Sequence, residues 1–277
     1  MPVRAIRFGH SADPDDAFMV MALGTGRVRV PDVAIEWVVE DLESLNRRAR
    51  QAELEVTAIS SATYLLVADR YRLLDPGAAL GRGPGPVLVA REPIPRAALE
   101  DRVVAIPGKH TTAALLLRLL VGDPPLIEVA FERIPRAVLE GQADVGLLIH
   151  EGPLARACAG LVTVLDLGVA WQAETGLPLP LGVSVVRRDL GEGLQRAISR
   201  GLRESIAWAR AHEDEALEHA LRFARGMDRE TCRRFVSAYV GDDAVSLDGP
   251  GRAALSRLFA EARLRGLVAE APPIDPI

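Results

Sequence analysis

Two proline–glycine clusters constrain this chain more than any other feature. Gly-Arg-Gly-Pro-Gly-Pro at residues 81–86 and Gly-Leu-Pro-Leu-Pro-Leu-Gly at residues 176–182 interrupt any helix or strand that reaches them. Before the first cluster, apolar runs at residues 5–8, 33–39 and 56–60 read as strands, each followed by helical sequence. Between the clusters the alternation restarts, with strands at 87–90, 102–106, 127–131 and 144–149 and helices at 111–120 and 135–140. This β-turn-α rhythm predicts parallel sheets wrapped by helices. After the second cluster only residues 183–186 read as a strand, and amphipathic helices follow at 194–211, 213–224, 228–239 and 250–265. The last third therefore has too few strands for a sheet of its own. The economical arrangement is α/β and two-lobed. Residues 1–88 and 184–277 form a discontinuous first lobe that includes the C-terminal helices, and residues 89–183 form the second. The chain crosses twice, so a ligand cleft between the lobes with a hinge at the crossings is expected.

Composition agrees with a globular chain that can bury a core: 277 residues, 49% hydrophobic and 26% charged. Its net charge of −5 gives no general attraction to nucleic acid or to an anionic membrane surface. Cys158 and Cys232 lie far apart and form no metal or disulfide pattern, so two reduced thiols are expected. Met-Pro-Val-Arg-Ala-Ile-Arg at the start has no apolar leader pattern, and no stretch approaches a membrane span, so a cytoplasmic setting is expected. The histidines and acids show no metal-ligand spacing, and the sequence leaves the oligomeric state open.

Three turns directly after expected strands carry the chemistry. Ligands of open α/β sheets collect at such carboxyl ends. In the first, residues 10–16, Asp13 suits an N-cap, Pro14 the first helical position, and Asp15 and Asp16 favour the helix dipole. His10 is expected to hold the turn. In the second, residues 108–113, the free amides at a helix start and the hydroxyls of Thr111 and Thr112 offer an anion site. That site lacks the spacing of a nucleotide P-loop. In the third, His150 ends a strand before Glu151 and Gly152, where it can serve as a base near neutral pH or simply hold a domain edge. Ser60 and Ser61 form a fourth, weaker candidate.

Taken in order, these motifs resemble a known family. They are Ser11-x-Asp13-Pro14-Asp15-Asp16-x-Phe18, then Gly108-x-x-Thr111-Thr112-Ala113-x-Leu115-Leu116, then Asp144-x-Gly146-x-x-Ile149-His150-Glu151-Gly152. Trp171-x-x-x-Thr175-Gly176-Leu177-Pro178-x-Pro180-Leu181-Gly182 and Tyr239-Val240 follow. Together they resemble the 1,4-dihydroxy-6-naphthoate synthases of the futalosine route to menaquinone. The resemblance implies a periplasmic-binding-protein-like (type II) fold in a cytoplasmic lyase. It implies cleavage of cyclic dehypoxanthinyl futalosine with release of dihydroxyacetone, without a metal or organic cofactor. It also implies roles: His150 as base, Thr112 and Ala113 (with Thr111) as the carboxylate-binding helix start, Asp16 on the polyol, and Ser60 or Ser61 on the substrate. The chain departs from the family's common residues at Ala12, Asp15, Ala17, His110 and Ala170. Chorismate dehydratase, and a non-catalytic binding protein for an aromatic carboxylate, stand as alternatives.

Overall fold

A computed structural model of the chain describes residues 3–149, 158–224, 226–247 and 249–277. The chain opens with β1 (Arg4–Ser11), α1 (Pro14–Gly24), β2 (Val33–Glu40), α2 (Leu42–Arg50), β3 (Val56–Ser60) and α3 (Ser61–Val67). Two short strands, β4 (Tyr71–Leu73) and β5 (Ala79–Gly81), precede the first crossing. The middle segment holds β6 (Val87–Ala90), β7 (Val104–Ile106), α4 (Thr112–Leu120), β8 (Leu126–Glu128), α5 (Ile134–Leu139), β9 (Val145–Leu148), β10 (Val162–Asp166) and α6 (Leu167–Thr175). The chain returns through β11 (Leu179–Arg187) into α7 (Glu192–Ala211), α8 (Glu213–Ala220), α9 (Arg229–Tyr239), α10 (Asp242–Val245) and α11 (Gly249–Leu264).

Local chemistry sets several of these boundaries. Asp41 caps α2 by accepting from the Ser44 amide at 3.0 Å, and Arg47, Arg48 and Arg50 fill its last turn, where cations suit the dipole. Asp166 caps α6 through the amides of Gly168 and Val169, and Gly176 ends that helix in the left-handed conformation. The same Asp166 oxygen accepts from the Gly85 amide at 3.1 Å, which ties the first crossing to the start of α6.

The strands form two mixed sheets. The first has the order β2-β1-β3-β11-β4, with β5 also paired to β11; the second has the order β10-β6-β9-β7-β8. The expectation of purely parallel sheets needs correction. β1, β2 and β3 run parallel, as do β7, β8 and β9, but β6 and β11 are antiparallel to their neighbours. The reason is geometric. A strand that arrives from the other lobe enters its sheet from the cleft side, opposite to strands delivered by helical crossovers. β6 pairs wholly within the second sheet and β11 wholly within the first. Sheet membership thus changes at residues 82–86 and 176–178, a few residues ahead of the expected lobe boundaries. The second proline cluster does not exclude a strand, because the β11–β5 register shifts between Pro180 and Gly182.

Core residues sort by these layers. Ile6, Phe8, Val56 and Val186 of the first sheet pack with α1, α7, α8 and α9. Val89, Ala105 and Leu148 of the second sheet pack against Ile134 and Val138 of α5. The largest cluster lies between the sheets. It joins Ile59, Tyr64 and Val67 of the first lobe to Leu116, Leu119 and Trp171 of the second and to Leu255, Leu258 and Phe259 of α11. Among the described residues, no helix is long and apolar enough to cross a membrane.

Candidate active site in the interlobe cleft

Each sheet places the first of its three mutually parallel strands between the other two: β2-β1-β3 in one and β8-β7-β9 in the other. Successive connections therefore leave β1 and β7 in opposite directions. That leaves a crevice at the carboxyl end of each, where ligands of such sheets bind. The turn after β1 carries Asp13, Asp15 and Asp16; the turn after β7 carries Gly108 to Ala113.

Asp13 occupies the N-cap position of α1 with extended backbone and Pro14 follows at the first helical position, but the Asp13 side chain makes no capping bond. Asp16 does the reaching instead: its Oδ2 accepts from the Ser11 amide at 2.8 Å. All three carboxylates line one cavity of ≈560 Å³, which also meets Ser11, Leu42, Ala58, Ile59, Ile149, Leu181, Gly182, Phe235 and Tyr239. Burial, and then the neighbouring Asp16 and Asp13 charges, hold the Asp15 carboxyl well above the usual carboxylate range. Burial also raises Asp16, against the opposing pull of the Ser11 amide. Of the pair, Asp15 therefore holds its proton to higher pH than Asp16. Tyr239 is pushed up to about 12, by burial first and the Asp15 charge second, so it stays a hydroxyl donor.

A second, wider cavity of ≈1090 Å³ shares Asp13, Leu42 and Ile149 with the first and extends past Glu43, Arg47, Pro107, Thr111 and Phe131. Here the Thr111 hydroxyl is committed to its own helix. It accepts from the Ala114 amide at 3.1 Å and donates to the Gly108 carbonyl at 2.9 Å. The Thr112 hydroxyl is committed too, donating to the Leu181 carbonyl at 2.7 Å and accepting from the Ala62 amide at 3.1 Å. Both threonines are thus bound up in protein contacts through their side chains. The first-turn amides of Thr112 and Ala113 have no acceptor among the described residues, so the backbone N–H groups of this helix start, rather than the threonine hydroxyls, are the uncommitted donors.

The Thr112–Ala62 bond brings the α4 start against the segment that holds Ser60 and Ser61. Ser60 is occupied: its amide donates to Asn46 Oδ1 at 2.9 Å and its hydroxyl accepts from Asn46 Nδ2 at 3.0 Å. The Ser61 hydroxyl is buried and has no hydrogen-bond partner among the described residues. His150, with Glu151 and Gly152, lies outside the described residues; the residue before it, Ile149, lines both cavities. His10 is buried, with Nδ1 2.8 Å from the Ser11 carbonyl oxygen and its ring edge-on to Trp37 and Phe223. It braces the turn from behind. Cys158 and Cys232 form no disulfide with each other.

Several cleft residues carried no sequence signal as site residues. Phe235 and Tyr239 arrive from α9, far along the chain, and of the two only Tyr239 belongs to a motif. Glu43 sits four residues before Arg47, a spacing that reads as an exposed helix pair, yet Glu43 is buried. Its burial opposite Gly108 has no local sequence mark.

A two-lobed α/β chain with facing strand-end turns defines a periplasmic-binding-protein-like fold. The alkanesulfonate-binding protein SsuA from Xanthomonas axonopodis pv. citri superposes on 99% of this chain and 96% of its own, at TM-score 0.70 and 12% identity. Within that fold the chain belongs to the family described as Menaquinone biosynthesis, which it matches over residues 6–263. It is 46% identical over 270 residues to the Thermus thermophilus protein named 1,4-dihydroxy-6-naphtoate synthase, covering 98% of each chain. It is 33% identical to the Streptomyces coelicolor protein of the same name, covering 97% of this chain and 96% of that one. A crystal structure of a protein from Archaeoglobus fulgidus is 46% identical, with TM-score 0.89 over 95% of this chain and 98% of its own.

Proposed function

We propose that this chain is a carbon–carbon lyase of menaquinone biosynthesis. It converts cyclic dehypoxanthinyl futalosine to 1,4-dihydroxy-6-naphthoate and releases dihydroxyacetone. The observation that carries the reading is the similarity along 98% of the chain to a protein named for that product. The facing turns after β1 and β7 suit an aromatic acid with a polyol arm. The substrate's aromatic carboxylate lies on the amides of Thr112 and Ala113. Of the two serines, Ser61 is assigned to the substrate, because its buried hydroxyl lacks a partner among the described residues whereas that of Ser60 is held by Asn46. Asp16, fixed by the Ser11 amide, accepts from the polyol hydroxyls, and Asp15, whose proton burial holds to higher pH, is the donor to them in this scheme.

His150 is the base of this proposal. It takes the proton of a hydroxyl on the ring carbon that bears the three-carbon arm; the bond from that carbon to the arm breaks in a retro-aldol-type cleavage, leaving a ring carbonyl, and the electron pair passes to the arm as an enediolate. The enediolate takes a proton back from His150 to become dihydroxyacetone, and the ring carbonyl enolises, which makes the ring aromatic. No metal or organic cofactor enters this scheme, and a cytoplasmic setting belongs to the same proposal.

Dihydroxyacetone release by the purified protein tests it. Wild type is expected to release one equivalent per substrate, and His150→Ala to lose turnover by on the order of a hundredfold or more while still binding 2-naphthoate in a calorimetric titration. Equal turnover by the two proteins would remove His150 from the mechanism. Tight binding of an aromatic carboxylate by wild type, with no product formed from the cyclic substrate, would favour a solute-binding protein instead.

A further inference from the structure

The anion-binding start of α4 stands at the end of an irregular turn, residues 107–111, which no strand or helix fixes. Its position comes from the other lobe. Glu43 of α2 is a buried carboxylate, and a buried charge needs partners. Its Oε1 lies 2.5 Å from His110 Nδ1 and accepts from Arg47 Nε at 3.3 Å. Its Oε2 accepts from the His110 amide at 3.2 Å and from Asn46 Nδ2 at 3.5 Å. Asn46 in turn grips Ser60 through both its amide and its hydroxyl. On the far side of the ring, His110 Nε2 is 2.6 Å from Arg50 Nη1. A guanidinium only donates, so Nε2 is the acceptor, and the neutral ring carries its proton on Nδ1, aimed at Glu43. Gly108 completes the fit, since a Cβ there would overlap the Glu43 side chain.

We infer that Glu43, Asn46 and His110 are positioning residues. They form one polar chain, Arg50–His110–Glu43–Asn46–Ser60, buried from His110 to Ser60 with the exposed Arg50 at its outer end, that locks the α4 start of the second lobe to the β3–α3 junction of the first. The chain holds the two binding segments, the amides of Thr112 and Ala113 and the hydroxyl of Ser61, at a fixed separation. It touches no substrate. The inference rests on the proposed carboxylate site for its kinetic consequence, but not for its geometry. His110 takes a place where the family commonly has another aromatic, so the device is this chain's own version of the contact.

The test pairs kinetics with a spectroscopic readout. His110→Phe keeps a ring but removes both nitrogen contacts. It is expected to raise KM about tenfold or more, the scale of a lost hydrogen bond to a charged group, with kcat little changed. His110→Asn places an amide donor where Nδ1 stood and is expected to recover most of that loss, and Glu43→Gln to fall between. Wild-type kinetics in His110→Phe, or equal impairment in His110→Asn, would overturn the inference, the second by making the ring's packing rather than its bond the cause. The long-range ¹H–¹⁵N correlation of the ligand-free wild type is independent of variant folding, and only five histidines need assignment. It is expected to show His110 as the Nδ1–H tautomer at neutral pH; an Nε2–H tautomer or an imidazolium would overturn the chain as drawn. Should wild type fail to turn over the cyclic substrate, the function proposal falls alone. The same variant comparison, read as 2-naphthoate affinity, and the tautomer then decide this one.

Discussion

Asp15 and Asp16 are neighbours in sequence and in the cleft, and their different surroundings separate their protonation. Asp16 has the Ser11 amide; Asp15 has burial and two like charges. The folded-state pKa of Asp15 therefore lies above its unfolded value. Between those two values the folded protein holds more protons than the unfolded chain, so stability falls as pH rises through that window. Asp15→Asn cannot ionise and is expected to melt above wild type at neutral and mildly alkaline pH. Below about pH 3.5, where Asp15 is protonated in both states, the difference should close. Thermal melts from about pH 3 to about pH 8 measure it, and a gap that stays constant with pH would show that Asp15 is not the titrating group. Asp16 could be picked out from sequence because it lies in a short motif after an obvious strand. Glu43 could not be read as a cleft residue, nor could the partners of His110, because their environments are made by segments that meet only in three dimensions.

At the scale of elements, the long apolar strands and the amphipathic helices are legible because their periodicity is strong: β1, β2, β3, β9, α2, α4, α7, α9 and α11 all fall close to where the pattern puts them. The three-residue strands β4 and β5 are too short to show a period, and β10 and α6 follow a stretch without a clear alternation. β8 ends at Glu128; Val129 and Ala130 of its expected run are irregular, and Phe131 opens a 3₁₀ turn at Phe131–Arg133. The direction of β6 and β11 was hidden for another reason: it depends on which lobe delivers the strand, and side-chain pattern does not record direction. Trp171 of α6 shows how the second crossing is held. Its ring is 2% exposed within the interlobe core, and Nε1 donates to the Pro178 carbonyl at 3.0 Å. Trp171→Phe, which loses that bond and some volume, is expected to cost about 1–3 kcal/mol. Trp171→Ala, which adds a large cavity, is expected to cost about 3–5 kcal/mol. Urea unfolding measures both, and equal losses would assign the whole effect to the hydrogen bond.

For the molecule as a whole, two crossings between two sheets suggest lobes that swing freely, and the core argues for less freedom. α3 comes from the first lobe, α4 from the second, and α11 packs against both. Their side chains form a single apolar cluster, with Tyr64 stacked on Phe259 at 6.0 Å between ring centroids. A wide opening of the cleft would have to part α3 from α4, exposing Ala62, Val67, Leu116 and Leu119, and would also break the buried Glu43–His110 pair. Apolar surface costs roughly 25 cal/mol per Å² to expose, so small adjustments are favoured over a large swing. The same continuity couples the lobes in unfolding. Calorimetry is expected to show one transition whose calorimetric and van't Hoff enthalpies agree. Scattering profiles with and without 2-naphthoate are expected to differ only slightly at low angle. Two resolved transitions, or a marked fall in radius of gyration on binding, would mean that the α3–α4–α11 contact is a sliding surface rather than a shared core, and that the two crossings act as an open hinge.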